Sequence, residues 1–134
     1  MNFKPPRSEG NLLLVDDDPR LTEFLRETLA PHFSLIAVAG RIEQAKSLID
    51  GPFLFNAIVC DHLLHDGTGV QFYSWLRKVK LNYIPFLLVT GQDELVSCQP
   101  DPSFAFMTKP FSPQDLLVCL DKFNRKTRLV VSTA

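Results

Sequence analysis

Two short apolar runs that each break off at aspartate constrain this chain more than any other feature. Residues 11–15 (Asn-Leu-Leu-Leu-Val) run straight into Asp16, Asp17 and Asp18, and residues 57–60 (Ala-Ile-Val-Cys) into Asp61. A run that is apolar throughout presents no polar side to water, so it reads as a strand buried on both faces. Segments 34–39, 84–89 (ending at Thr90-Gly91) and 104–107 (ending at Thr108-Lys109-Pro110) read as further strands. Helical patterns lie between them. Asp18 as N-cap and Pro19 in the first turn open a helix carrying Leu21, Phe24, Leu25 and Leu29 at helical spacing. Residues 41–50 place Ile42, Ala45, Leu48 and Ile49 on one face and stop at Gly51-Pro52. Residues 70–80 offer Phe72, Tyr73, Trp75, Leu76 and Val79 as core and edge contacts, and 113–124 turns Leu116, Leu117, Leu120 and Phe123 inward.

Strands alternating with helices predict an α/β architecture, a doubly wound five-stranded parallel sheet with helices on both faces. The fourth helix should be shortened or irregular, because Pro100 and Pro102 leave little room for it before the fifth strand. A length of 134 residues suits one domain, read as a polar leader over 1–10, a domain over 11–126 and a tail over 127–134. The basic residues of 122–128 read as a solvated helix end.

Composition excludes several function classes. Fifteen acidic against fourteen basic residues leave a net charge of −1, without the basic excess of a nucleic-acid-binding module. No apolar run approaches the roughly 18 residues of a membrane span, and the N-terminal residues lack the apolar stretch of a signal peptide. Three cysteines form no CxxC pair; Cys60 and Cys119 sit in apolar surroundings and read as buried small hydrophobes. These features point to a reduced, cytoplasmic protein that contacts neither nucleic acid nor membrane directly.

In a doubly wound sheet, ligands bind beyond the carboxyl ends of the strands. Asp16, Asp17, Asp61, Thr90 and Lys109 all terminate strands, so three carboxylates converge on one small region. Mutual repulsion would raise their pKa values unless a hard divalent cation intervened, and Mg²⁺ suits carboxylates, waters and a phosphoryl oxygen. An aspartate can itself be the nucleophile toward a phosphoryl group, with Lys109 and the Thr90 hydroxyl holding its oxygens.

The chain resembles the CheY-like receiver domains of two-component response regulators from about Asn11 to Asn124. The matching pieces are Leu-Leu-Val-Asp16-Asp17-Asp18-Pro19, Ile-Val-Cys-Asp61 with Asp66-Gly67-Thr68-Gly69, Leu-Val-Thr90-Gly91 and Met-Thr-Lys109-Pro110-Phe111. The resemblance implies a flavodoxin-like fold and a phosphoacceptor, Asp61, that takes its phosphoryl group from a sensor histidine kinase, a phosphotransfer protein or a small phosphodonor. It implies Mg²⁺ held by Asp16, Asp17, Asp61 and the backbone carbonyl of Leu63. Thr90 and Phe106 would be switch residues, and Lys109 would pair with the phosphoryl group. Output would be contact with a downstream protein target; apart from promoting its own phosphorylation and dephosphorylation, such a domain is not an enzyme.

Two departures stand out. The family commonly has proline four residues after the acceptor, where this chain has His65, which should loosen that turn. From Thr90 to Lys109 is 109 − 90 = 19 residues, a few shorter than usual for receivers. They motivate an alternative, a degenerate receiver acting as a phosphorylation-independent interaction module. An aspartyl-phosphate phosphatase is disfavoured by Leu63, where a second acid would stand two residues after Asp61. His62 and His65 flank the acceptor, but His62 should point away from Asp61, so a zinc site is disfavoured. His32 reads as a helix C-terminal residue favoured by the dipole.

Overall fold

A computed structural model describes residues 10–91, 96–98 and 100–133, with side chains described up to Phe123. The chain runs β1 (Asn11–Val15), α1 (Pro19–Leu29), a 3₁₀ turn (Ala30–His32), β2 (Leu35–Ala39), α2 (Ile42–Asp50) and β3 (Ala57–Asp61). It continues through β4 (Leu63–Leu64), β5 (Gly67–Thr68), α3 (Gly69–Lys78), β6 (Phe86–Thr90), β7 (Phe104–Thr108) and α4 (Pro113–Thr133). Five strands form one parallel sheet in the order β2-β1-β3-β6-β7, while β4 and β5 pair as a separate antiparallel ribbon.

The uninterrupted apolar runs are buried on both sides, as their composition requires. Leu13, Val15, Ile58, Cys60, Phe86 and Leu88 pack with Ile42, Phe72 and Leu76 of α2 and α3. Their neighbours in sequence, Leu12, Leu14, Val59, Leu87 and Val89, turn to the opposite face and meet Leu25, Leu29, Leu116 and Leu120 of α1 and α4. Truncating a fully buried position such as Leu13 to alanine costs about 2–5 kcal/mol.

Asp18 caps α1 as its sequence predicts, its carboxylate accepting from the N–H groups of Arg20 and Leu21. His32 closes the 3₁₀ turn that extends α1. Cys60 is fully buried, whereas Cys119 is only partly so. Phe24 and Val79 differ from the expected inward pattern, being 53% and 67% exposed. Val79 is the C-cap of α3, where the chain has already left the buried stripe. Helix α4 runs on to Thr133, beyond the end expected near residue 124 and through the segment read as a tail, because no Gly or Pro follows Pro113 to stop it. The leader residues 1–9, and the side chains of the basic segment beyond Phe123, lie outside the described residues.

The connection from β6 to β7 contains no helix among its described residues. A buried arginine anchors it instead. Arg77 of α3 is 7% exposed and donates through Nε to Asp101 Oδ2 at 2.6 Å, and to the carbonyls of Asn82 and Ser103. Its guanidinium lies 4.7 Å from the Tyr73 ring centre and 5.4 Å from that of Tyr83. Tyr73 completes the network with a hydroxyl 2.8 Å from Asp101 Oδ2. Partial burial raises the Asp101 pKa, but the Arg77 and Tyr73 hydrogen bonds outweigh it and hold the carboxyl below its ordinary value. A cavity of about 430 Å³ lies along this seam, lined by Tyr73, Arg77, Tyr83, Cys98 and Asp101 among others.

Candidate functional site

Sheet register brings the polar residues together. Val15 is paired with Cys60, so the next residues along, Asp16 and Asp61, emerge side by side from β1 and β3. Asp61 is itself paired with Val89, one residue before Thr90, and Thr90 is paired with Thr108, one residue before Lys109. The Lys109 N–H donates to the Thr90 carbonyl at 2.8 Å, carrying the ladder one step beyond the strand. Three crossings of a parallel sheet thus collect at one edge residues that are far apart in sequence.

The carboxylates of Asp16, Asp17 and Asp61 each place an oxygen within 4.8 Å of the others. Lys109 Nζ sits 3.3 Å from Asp61 Oδ1 and 3.8 Å from Asp16 Oδ2. One ammonium among three carboxylates leaves the cluster an excess of negative charge, which a divalent cation would offset. Asp61 is 8% exposed, and its Oδ1 also accepts the His62 N–H at 3.0 Å. Asp16 Oδ1 accepts the Asp18 N–H at 2.9 Å. Even so, burial pushes the Asp16 pKa up to about 6 from 3.8, with the Asp61 charge adding to the rise. All three acids offer the hard oxygen donors that Mg²⁺ takes, so the residues present fit that ion.

The remaining sequence-predicted residues fall around this centre. Thr90 ends β6 and is buried. Leu63 opens the β4–β5 ribbon two residues past Asp61, its side chain 54% exposed. Phe106 lies in β7, half exposed, with its ring edge-on to Phe104 at 4.9 Å. The Lys109-Pro110 peptide is cis. Neither histidine joins the three aspartates as a metal-capable group among the described residues. His62 is buried, with its backbone N–H on the Val89 carbonyl and no hydrogen-bond partner for Nδ1 among the described residues. His65 is exposed and places Nε2 3.4 Å from Asp17 Oδ2.

The turn at His65, where loss of proline should loosen the chain, is tied down on both sides. His65 and Asp66 form the tip of the β4–β5 ribbon, where Leu63 pairs with Thr68 and Leu64 with Gly67. Asp66 reaches back across the chain: its two oxygens accept the N–H groups of Ile42 and Glu43 at 2.9 and 3.1 Å. It thereby caps α2, whose own N-cap residue, Arg41, makes no side-chain cap. Gly67 follows at φ +149°, and a Cβ there would strike Gln71 and Ile42. Thr68 and Gln71 close the loop with a reciprocal capping box on α3. Sequence reasoning missed this cap because its donor and acceptor are 24 residues apart.

A family model, the response regulator receiver domain, matches residues 12–121. The chain belongs to that family, the receiver domains of two-component response regulators. Among characterised relatives, it is 30% identical over 129 residues to the transcriptional regulatory protein TrcR of Mycobacterium tuberculosis, covering 90% of this chain and 49% of that protein. It is 24% identical to the two-component response regulator PprB of Pseudomonas aeruginosa (92% and 46% covered), and 27% identical to the hydrogenase transcriptional regulatory protein HoxA of Bradyrhizobium diazoefficiens (81% and 23%). The chain thus spans between about a quarter and a half of these relatives' length. Of solved structures, the non-phosphorylated HemR receiver domain of Leptospira biflexa superimposes with a TM-score of 0.67 at 27% identity, covering 86% of this chain and 94% of that one. A CheY-like receiver domain protein of Methanospirillum hungatei gives 0.71 at 23% identity (89% and 99%), a likeness of fold. No helix among the described residues is long and apolar enough to cross a membrane.

Proposed function

We propose that this receiver accepts a phosphoryl group on Asp61 and signals through protein contact. The observation that carries the reading is the convergence of Asp61 with Asp16, Asp17 and the Lys109 ammonium at one strand edge. Asp16, Asp17, Asp61 and the Leu63 carbonyl would hold Mg²⁺, which when bound supplies positive charge for the phosphoryl oxygens. An Asp61 carboxylate oxygen forms the new P–O bond as the bond from phosphorus to the donor's imidazole breaks, and the donor leaves as the free imidazole. Lys109, already 3.3 Å from Asp61, stabilises the charge on the transferred oxygens, and the Thr90 hydroxyl donates to another of them.

Recruitment of Thr90 then shifts an existing equilibrium that Phe106, half exposed on the edge strand, reports by its packing. The donor is a sensor histidine kinase or phosphotransfer protein. Residues 11–126 contact a downstream protein rather than nucleic acid, consistent with their excess of acidic over basic residues; the free cysteines suit the reduced cytoplasm. The transcriptional activity that relatives' names record belongs to proteins of which this chain matches only part.

The test is a thermal melt with beryllofluoride, a phosphoryl mimic, and Mg²⁺. The reading expects a stabilisation that needs both additives and is lost in Asp61→Asn. The same melt with and without the additives in the wild type would favour the degenerate interaction module.

A further inference from the structure

We propose that His65 is a positioning residue for the cation, holding the Asp17 carboxylate in place from the outer side. The inference rests on the metal-site reading above. His65 Nε2 lies 3.4 Å from Asp17 Oδ2, and its ring is otherwise open to solvent, with 81% of the side chain exposed. Such a ring would ordinarily wander, but here its backbone is fixed on both sides. The ribbon pairs Leu64 with Gly67 directly across the tip, and Asp66 ties that tip to the start of α2 through two hydrogen bonds. The scaffold therefore presents the imidazole over Asp17 without needing a rigid side chain.

Asp17 has few other restraints. Asp16 spends one oxygen on the Asp18 N–H, and Asp61 one on the His62 N–H. For Asp17, the contact with His65 is the one the described structure records, and the side chain is 28% exposed. Carboxylates that hold metals are generally held in turn by an outer hydrogen-bond partner, whose loss weakens metal binding by about 10–100-fold. His65 Nε2 faces Oδ2 of Asp17 at 3.4 Å, close enough to restrain that carboxylate as it meets the ion. Exposure of the pair places the expected effect at the lower end of that range.

Calorimetric titration of the full chain with Mg²⁺ tests this, using wild type, His65→Ala, His65→Gln and Asp17→Asn. The proposal expects His65→Ala to weaken Mg²⁺ binding about tenfold. His65→Gln, which keeps a neutral N–H donor, should recover most of the loss, and the metal-free melting temperature should stay unchanged. Equal affinity for His65→Ala and wild type, with binding lost in Asp17→Asn, overturns the role of His65 alone. Unchanged binding in Asp17→Asn overturns the metal-site reading beneath it. A parallel titration with Zn²⁺ supplies the last arm. If His65→Ala impaired Zn²⁺ and left Mg²⁺ untouched, the imidazole would be a direct ligand and the positioning role would fall.

Discussion

The connections that follow β3 and β6 both deliver residues to the same edge of the sheet, yet they are held by different physics. The loop from Asp61 to Gly69 is fastened at several separate points, each ending on a backbone group: a two-rung ribbon, the Asp66 cap on α2 and the Thr68–Gln71 box on α3. No single one of these carries the loop. The connection from Thr90 to Phe104 lacks a helix among its described residues, and one side chain, Arg77, gathers Asp101, Asn82 and Ser103 around itself. Distributed caps tolerate the loss of a member; a buried charged hub does not.

The largest expected effect follows from that contrast. Arg77→Ala leaves Asp101 with the burial that Arg77 had offset, and should destabilise the protein by about 3 kcal/mol or more in urea unfolding. A loss under about 1 kcal/mol would mean that the hub does not hold the connection.

Next comes Asp16→Asn. Burial raises the Asp16 pKa to about 6 against 3.8, so the native state binds the proton more tightly than the unfolded chain. Stability then falls as pH rises from about 4 to about 6, and above that the ionised carboxyl carries a penalty on the order of 3 kcal/mol. In chelator at neutral pH, Asn should therefore be more stable than wild type. Saturating Mg²⁺ should narrow or reverse the gap, because it stabilises only what binds it.

Asp66→Ala should cost less, about 1 kcal/mol, as expected for one cap among several restraints. Slight burial raises its pKa, but the N–H groups of Ile42 and Glu43 outweigh this and hold it below the ordinary carboxylate value. The stabilising charge is present at neutral pH and is lost as pH falls through that depressed pKa. Melting curves of wild type and Asp66→Ala should accordingly converge in strong acid; a gap constant with pH would show that the carboxylate charge is not what caps α2.

The same contrast explains what could be read in the sequence. Fully apolar runs ending in Asp16 and Asp61 disclose buried parallel strands and the edge where their polar termini meet, because strand burial and strand ends are local signals. Asp18-Pro19 likewise announces a helix start within two residues. The ribbon stayed hidden because each strand has two residues, too few for any periodicity. Asp66 on α2 and Arg77 on Asp101 join positions 24 residues apart through tertiary geometry alone. Pro100 and Pro102 signal the irregular path of the described residues between β6 and β7, but not the arginine that anchors them. His65 read as a looser turn, since the restraint on it comes from α2 and not from its neighbours in sequence.

The central claim is that the three aspartates and Lys109 form a Mg²⁺-dependent phosphoacceptor. Intact-protein mass after incubation with acetyl phosphate, with and without Mg²⁺ and beside Asp61→Asn, tests it most directly. The account predicts one phosphoryl adduct that requires Mg²⁺ and vanishes in Asp61→Asn. An adduct that persists in Asp61→Asn, or none with any donor in a folded protein that binds no Mg²⁺, would contradict it.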